Sequence, residues 1–352
     1  MDWGSHMECR GITMKKSIFT GVALAATLLL SACGETEKDN GEKAKAESNY
    51  PVTIQNYKKA EGGTTWEKKE QVFDKAPEKI MANTRPAAEL LLHLGLGDKI
   101  AGVGANFGAP DKSVEQEYNK LNILSDEYVG KEVTLGVNPD LVFGRGGLFD
   151  NADWGVGTVD TLNDMGIHTY VLESSITGGT YASIYEDIKN IGEIFKVEDK
   201  AKEFTKELKD KQNSVIKNLE SIKKEKTFAY LHMTDPKEIY VYPASDETFF
   251  NDAFKMIKMD NVFKDEKGEV GVEALIEADP DVLIVPKWVD KDASKDAKLI
   301  KGIYENPKLS SMKAIKNKQI YAVDYNYMFG YSYNTIDGME ILAKEMYPDL
   351  FK

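Results

Sequence analysis

Cysteine and histidine are scarce in this sequence of 352 residues, which contains two cysteines and four histidines. Cys9 falls in a segment that we set aside below, so the mature chain keeps only Cys33, and we expect neither a disulfide nor a cysteine-ligated metal site. A free-metal site needs several converging imidazoles or carboxylates. His93 falls in an apolar helical stretch and His168 opens a predicted strand. We therefore expect both to be structural, which disfavours a protein that binds free transition metals.

Long apolar runs and excess positive charge are also absent. The apolar run at residues 18–30 is shorter than the roughly 18–20 residues of a membrane span, and no later run reaches that length. The formal net charge is −13, and it becomes −14 without residues 1–32, which argues against nucleic acid as a partner. Hydrolase, phosphate-loop and His-Glu-x-x-His motifs are missing, so we predict a protein that is not an enzyme. A surface enzyme or adhesin is the remote alternative.

Residues 14–33 have the pattern of an export signal. A basic start at residues 14–16 precedes the apolar run, which closes on Leu-Ser-Ala-Cys at residues 30–33. This ending resembles the lipobox of bacterial lipoproteins, which implies cleavage before Cys33 and a diacylglyceryl group on its sulfur. We therefore predict a signal peptide over 14–32 and a lipidated, flexible tether over 33–50, where apolar clusters are lacking. Residues 1–13 are interpreted as a cloning remnant or a start codon placed too early.

One sequence pattern occurs twice. Glu132 stands seven residues before Pro139, and Glu273 stands seven residues before Pro280; in both copies Pro-Asp opens an apolar strand. A short helix that ends before the proline fits both copies, since proline cannot continue it. The repeat indicates two lobes built on related plans.

The coarse pattern of elements also indicates two lobes. Apolar strands alternate with helical stretches, which is typical of α/β sheets. Between them, apolar residues recur at helical spacing over 197–223, and this predicts one long amphipathic helix of about 40 Å. We predict an α/β fold of two Rossmann-like lobes, 51–196 and 224–352, joined by this helix, with a ligand cleft between them. Strands are expected at 79–83, 100–103, 141–144, 168–172, 227–232, 239–242, 282–285 and 320–323.

The chain resembles the substrate-binding lipoproteins of ABC importers for iron chelates, haem or cobalamin, over roughly residues 70–350. The resemblance is carried by Val-Phe-Asp-Lys-Ala-Pro-Glu-Lys-Ile at 72–80, by the apolar and glycine pattern of 88–103, by the paired Glu and Pro-Asp, and by 314–323. It implies one backbone helix between the lobes, with only a small rocking motion. It also implies that Glu132 and Glu273 engage arginines of a dimeric ABC permease in the membrane, and we expect a monomer.

Ligands of open α/β sheets bind beyond the carboxyl ends of the strands. Beyond residue 33 the sequence has only two arginines, Arg85 and Arg145, and both follow a predicted strand. Because arginine offers a planar, always-charged donor, we expect them to face ligand oxygens. An aromatic loop over 325–333 and Trp154 would line the same cleft. The candidate ligand-binding residues are Arg85, Phe107, Arg145, Trp154, His232, Met233, Trp288, Tyr325, Tyr327 and Tyr331.

These residues favour a ferric siderophore as ligand, with the iron held by the chelator and no resident cofactor. Carboxylate, catecholate and hydroxamate oxygens would all suit the arginines, so the siderophore class stays open. Haem is the closest alternative, with His232 as its iron ligand. Adjacent side chains of an extended segment point to opposite sides, so only one of His232 and Met233 would reach the cleft. Cobalamin is a second alternative, disfavoured by the arginines.

Overall fold

The computed structural model of this protein describes residues 49–60, 63–233, 235–242, 244–287 and 293–352. The predicted signal peptide, the lipidation site Cys33 and the candidate ligand residue Trp288 lie outside the described residues. Within them, the chain forms the two α/β lobes and the long connecting helix expected from the sequence.

An antiparallel hairpin, which the sequence analysis did not predict, opens the N-terminal lobe. It consists of β1 (Val52–Lys59) and β2 (Trp66–Phe73), paired along their full length. The Asn56 side chain is buried and pairs with both backbone groups of Val171. Its amide donates to the Val171 carbonyl at 2.9 Å, and its oxygen accepts from the Val171 amide at 2.8 Å. One side chain therefore fastens the hairpin to a sheet edge that would otherwise be unpaired.

The sheet of the N-terminal lobe is parallel throughout, with the order β4-β3-β5-β6. Its strands are short and almost wholly buried, as is typical of sheets covered on both faces. The strands are β3 (Ile80–Ala82), β4 (Ile100–Val103), β5 (Leu141–Gly144) and β6 (His168–Val171). The helices of this lobe are α1 (Arg85–His93), α2 (Glu115–Tyr118), α3 (Lys131–Gly136), α4 (Val159–Asp164) and α5 (Ser183–Phe195).

The connecting helix α6 (Glu198–Asn218) is shorter than the predicted 197–223. Its buried residues keep the predicted spacing, and its 21 residues extend about 31 Å. The apolar pattern continues to Leu219 and Ile222, but their amides bond three residues back, to the carbonyls of Ile216 and Leu219. These tighter turns end the helix while the side chains remain packed.

The C-terminal lobe contains a five-stranded, mostly parallel sheet, in which β10 lies between β11 and β7, while β8 and β9 both pair with β7. Only β8 runs antiparallel, and it has two residues where the sequence predicted a strand over 239–242. The strands are β7 (Lys226–Leu231), β8 (Val241–Tyr242), β9 (Met259–Asn261), β10 (Val282–Lys287) and β11 (Ile320–Asp324). The helices are α7 (Thr248–Met256), α8 (Val272–Ala278), α9 (Ala293–Tyr304), α10 (Lys313–Lys316), α11 (Tyr325–Phe329) and α12 (Thr335–Met346).

The repeated sequence pattern has the same structure in both lobes. Glu132 and Glu273 each stand second in a short helix, α3 or α8, and both are exposed. The aspartate after each proline then bonds to backbone at the start of a neighbouring strand. Asp140 accepts from the Lys79 amide at 2.8 Å, and Asp281 accepts from the Thr227 amide at 3.1 Å. The two glutamates therefore occupy equivalent positions on the two lobes.

After β11 the chain returns to the N-terminal lobe. The Asp324 carboxylate accepts from the Ala109 amide at 3.0 Å, and the Asn326 side chain donates to the Phe107 carbonyl. Further along, the Tyr333 hydroxyl lies 2.6 Å from the Asp111 carboxylate. The lobes are thus connected both by α6 and by this return segment, residues 324–333. In the part of the chain described above, no helix has the length and apolar character needed to cross a membrane.

Replacing Asn56 by alanine should lower the free energy of unfolding by about 2–4 kcal/mol, because both buried backbone groups of Val171 lose their partner. Urea denaturation measures this. The matched control is Gln55→Ala on the exposed face of the same strand, which should change stability by less than about 0.5 kcal/mol. Equal effects of the two substitutions would contradict the role given to Asn56.

Candidate functional site

Arg145 is held at the carboxyl end of β5 by the side chain of Asn83. The Asn83 oxygen accepts from the Arg145 amide at 2.8 Å, and its nitrogen donates to the Arg145 carbonyl at 3.0 Å. This close approach requires Gly144, because a Cβ there would lie 2.0 Å from the Asn83 oxygen and its φ is +139°. The backbone of Arg145 is therefore fixed before its side chain makes any contact.

The Arg145 guanidinium lies among tyrosines from both lobes. It donates to the hydroxyl of Tyr128 at 3.1 Å and to that of Tyr325 at 3.5 Å. It also stacks on the ring of Tyr331, 4.9 Å from the centroid. Burial raises the pKa of Tyr128 to about 12, although Arg145 lowers it. At neutral pH this hydroxyl is protonated and polar, and it carries no charge that would neutralise the arginine.

Tyr331 joins the arginine to an acidic residue of the other lobe. Its hydroxyl donates to one Glu247 oxygen at 2.5 Å, and the Tyr242 hydroxyl donates to the other at 2.7 Å. Burial and the Glu247 carboxylate raise the pKa of Tyr331 well above its usual range. Tyr331 adopts a φ of +49°, a left-handed conformation that is strained for a bulky residue and aims its ring at Arg145. We call Arg145, Tyr128, Tyr325, Tyr331, Tyr242 and Glu247 the Arg145 cluster.

Two further candidate residues border the Arg145 cluster. The ring of Phe107 lies 5.4 Å from that of Tyr128 and 6.0 Å from that of Tyr325. The imidazole of His232 lies 6.2 Å from the ring of Tyr325 and 5.5 Å from that of Tyr242. Burial, reinforced by the charge of Arg145, lowers the pKa of His232, so its imidazole is neutral at pH 7. The structure therefore brings five predicted residues together: Phe107, Arg145, His232, Tyr325 and Tyr331.

Arg85 lies in a different environment. It is the first residue of α1, and its guanidinium donates to the Asn106 side chain at 2.6 Å and stacks on Tyr118 at 4.4 Å. The carboxylate of Glu89, which is almost fully buried, lies 3.7 Å away. All of these contacts are within the N-terminal lobe. The prediction that Arg85 also touches ligand stays a prediction.

The structure describes three further candidates, Met233, Tyr327 and Trp154. Met233 packs in the hydrophobic core of the C-terminal lobe, whereas the preceding histidine borders the cluster, as expected for adjacent side chains. Tyr327 packs against Gly338 of α12. Trp154 is 46% exposed. The predicted aromatic loop over 325–333 is wrong for its first half, since α11 occupies Tyr325–Phe329, and two positions along a helix place Tyr325 and Tyr327 on different faces.

Four residues of this site were missed from the sequence. Asn83 had a usable signal, because it is a polar residue directly after a buried strand. Tyr242 also had a signal, because it ends the predicted strand 239–242. Tyr128 and Glu247 had none, since tertiary packing alone brings their segments to the cleft. Among the described residues, no group of three or more histidine, cysteine, aspartate or glutamate side chains is arranged to hold a metal ion.

Replacing Glu89 by glutamine should make the protein less sensitive to pH. Burial raises the pKa of Glu89 from its ordinary 4.5 to about 7, although bonds from the Asp111 amide and Arg85 oppose this. Between those values the native state holds a proton that the unfolded state has lost, so wild-type stability falls as pH rises. The Glu89→Gln protein has no such proton to release. Between the two pKa values, its free energy of unfolding should therefore rise relative to that of wild type by up to about 1.4 kcal/mol per pH unit. Urea denaturation at about pH 5 and pH 8 tests it, with exposed Glu186→Gln as control; parallel curves would contradict it.

Comparison with known proteins agrees with this architecture. The uncharacterized ABC transporter substrate-binding lipoprotein YvrC of Bacillus subtilis is 26% identical over 343 residues, covering 96% of this chain and 99% of its own. The Fe(3+)-citrate-binding protein YfmC of the same organism is 23% identical over 314 residues, covering 86% and 87%. The crystal structure of a periplasmic binding protein from Veillonella parvula matches with a TM-score of 0.73 at 21% identity, over 85% of this chain and 99% of its own. The family model described as periplasmic binding protein matches residues 80–327, more than two thirds of the sequence. The chain therefore belongs to the periplasmic binding protein family.

Proposed function

We propose that this protein captures a ferric siderophore between its two lobes and delivers it to an ABC permease. As a member of its family, it is the substrate-binding component of an ABC transporter. The observation that carries the proposal is the Arg145 cluster, in which one arginine is surrounded by neutral tyrosines from both lobes. No reaction on the ligand is required of such a site.

The chemistry of the cluster suits a ferric chelate. Hydroxamate, catecholate and carboxylate chelators present negatively charged oxygens around the iron, and a guanidinium can bind two of them at once. The rings of the surrounding tyrosines offer apolar surface to the chelator. The name of the relative YfmC, an Fe(3+)-citrate-binding protein, supports iron chelates as the substrate class. The iron would arrive inside its chelator, so the protein itself would need no resident cofactor.

Haem is the second candidate, and it rests on His232. A neutral imidazole at the carboxyl end of β7, bordered by aromatic rings, is a suitable axial ligand for haem iron. Arg145 would then bind a haem propionate. Cobalamin would use the aromatic surface without a role for the arginine.

The proposed location is supported by residues 14–33. The lipobox at residues 30–33 and the description of the relative YvrC as a lipoprotein both support a lipid anchor on Cys33. We infer that the protein lies on the extracytoplasmic face of the cell membrane, held there by its lipid alone, and acts as a monomer. The predicted tether would let both lobes reach a permease.

Glu132 and Glu273 are proposed as the permease contacts. Both are exposed, both stand second in a short helix that begins after a glycine, and both are followed by the same proline and aspartate turn. Two carboxylates at equivalent positions suit a dimeric permease that presents one basic group to each lobe. In the described part of the chain, neither glutamate forms a salt bridge.

Replacing Arg145 by alanine should weaken binding of the preferred ferric chelate by about ten- to a hundredfold, because a charge-assisted contact is worth about 1.5–3 kcal/mol. Tryptophan fluorescence would follow titration with a ferric hydroxamate, a ferric catecholate, ferric citrate, haemin and cobalamin. Arg145→Lys should recover only part of the affinity, since lysine keeps the charge but lacks the bidentate fork.

The control for this titration is Lys206→Ala, which removes a positive charge from an exposed position on α6. It should bind ligand as wild type does. Binding of haemin alone, with a Soret shift lost in His232→Ala, would replace the siderophore by haem. Full affinity for a ferric chelate without Arg145 would refute the role of the cluster.

Replacing Glu132 and Glu273 together by alanine should abolish ligand-dependent stimulation of the permease ATPase in proteoliposomes, and each single substitution should reduce it about tenfold. Chelate affinity should not change, because neither residue touches the Arg145 cluster. The comparison variant is Glu186→Ala on α5. A double variant that still stimulates the permease fully would rule out this docking mode.

A further inference from the structure

We propose that the N-terminal hairpin forms a third wall of the ligand cleft and that Trp66 is a specificity-determining residue on it. This inference rests on the proposed function, because it takes the ligand to occupy the space beside the Arg145 cluster. It adds a segment that neither sequence motifs nor the family match assigns to the site. The matched region begins at residue 80, after the hairpin has ended at Phe73.

A cavity of about 220 Å³ lies between three segments of the structure. The hairpin contributes Lys59 and Trp66, at the two ends of its turn. Its other lining residues include Glu247 and Tyr331 of the C-terminal lobe and Arg145 at the end of β5. Since the last three residues belong to the Arg145 cluster, the cavity opens directly beside the guanidinium. A ligand bound by Arg145 in this cavity would therefore contact the hairpin.

The indole of Trp66 is fixed in place from the side of the N-terminal lobe. Its Cη2 atom lies 2.8 Å from the position that a Cβ on Gly146 would occupy, so only glycine permits this approach. The Gly146 amide donates to the Ser175 hydroxyl at 2.7 Å, which holds the turn beneath the ring. Trp66 is half-buried and packs on the hydrophobic cluster that includes Phe149. These contacts restrict the orientation of the indole, so that it presents a fixed surface.

Charge around the cavity is divided between the lobes. Lys59 and Arg145 lie on the N-terminal side, and Asp246 and Glu247 lie on the C-terminal side. Lys59 forms a salt bridge to Asp150 at 3.1 Å, which anchors the end of β1 to the N-terminal lobe. Trp66 and Arg145 line the same cavity, so anionic chelate oxygens bound by Arg145 would lie near the indole.

The size of the cavity limits what it can take. Sites for whole drug-sized ligands measure about 300–1,000 Å³, so 220 Å³ accommodates only a part of such a molecule. The part that fits an indole surface next to an arginine is the apolar or aromatic backbone of the chelator, adjacent to its anionic iron-binding oxygens. Trp66 would thereby select among chelates that Arg145 accepts equally.

Calorimetric titration of the purified protein with a ferric trihydroxamate, a ferric triscatecholate and ferric citrate tests the inference. Trp66→Ala should weaken binding of the preferred chelate about tenfold and alter the order of the three affinities, because the chelator would lose its contact area on the indole. Trp66→Phe should cost less than about threefold, since it keeps an aromatic surface. If the alanine protein does not fold, Trp66→Leu keeps apolar volume against the core and takes its place. The control is Val72→Ala, an exposed position on the same hairpin that does not line the cavity.

The outcomes separate this inference from the proposed function. Wild-type affinity and ranking in the Trp66 variants, with binding still lost in Arg145→Ala, would overturn the hairpin wall and leave the siderophore receptor intact. If wild type binds haemin in a parallel titration and binds no ferric chelate, the proposed function fails. The hairpin wall then stands if Trp66→Ala weakens haemin binding about tenfold, and falls if it does not. A protein that binds none of these ligands would overturn both.

Discussion

The hydrogen bonds that fasten residues 324–333 to the N-terminal lobe are the constraint on which the interlobe face depends. The Asp324 carboxylate accepts a hydrogen bond from the Ala109 amide at 3.0 Å, and the Tyr333 hydroxyl donates one to the Asp111 carboxylate at 2.6 Å. Because this segment leaves one lobe and is bound to the other, the lobes are tied at a second point besides α6. Two separate connections oppose wide separation of the lobes. The same crossing carries Tyr325 and Tyr331 to the guanidinium of Arg145.

Two buried asparagine side chains fix the positions of backbone segments in the N-terminal lobe. Asn56 and Asn83 each pair with both the N–H and the C=O of one residue in a neighbouring segment, Val171 or Arg145. A side-chain amide used in this way replaces the partner that a further strand would have provided. Since the donor and the acceptor must both be satisfied, the geometry has little freedom. One of these pairs fixes the hairpin, and the other fixes the arginine of the site.

The two arginines illustrate how environment divides one residue type into two roles. Arg85 lies 3.7 Å from the Glu89 carboxyl group and donates to Asn106, so the partners of its guanidinium belong to its own lobe. Arg145 has hydroxyl and ring partners, and within the described residues no carboxylate comes within salt-bridge distance of it. Its positive potential therefore remains directed at the cleft, and the low polarizability of the buried surroundings screens it less than water would. A charge that is held in position but not neutralised is suited to an anionic ligand.

Periodicity and local motifs in the sequence determined the two α/β lobes, the long helix and the equivalent placement of Glu132 and Glu273, because such features depend on residues near one another in the chain. The hairpin was not predicted from the sequence, because the buried polar residue Asn56 interrupts the alternation of apolar and polar residues in β1. The helix at the start of residues 325–333 was also not predicted, because aromatic composition alone does not distinguish a loop from a short helix. Arg145, Tyr325 and Tyr331 were expected at the cleft from their places after strands. Only the tertiary structure decided that Tyr128 and Glu247 join them and that Arg85 turns to Glu89, because contacts between distant segments are set by packing and leave no periodic trace in the sequence.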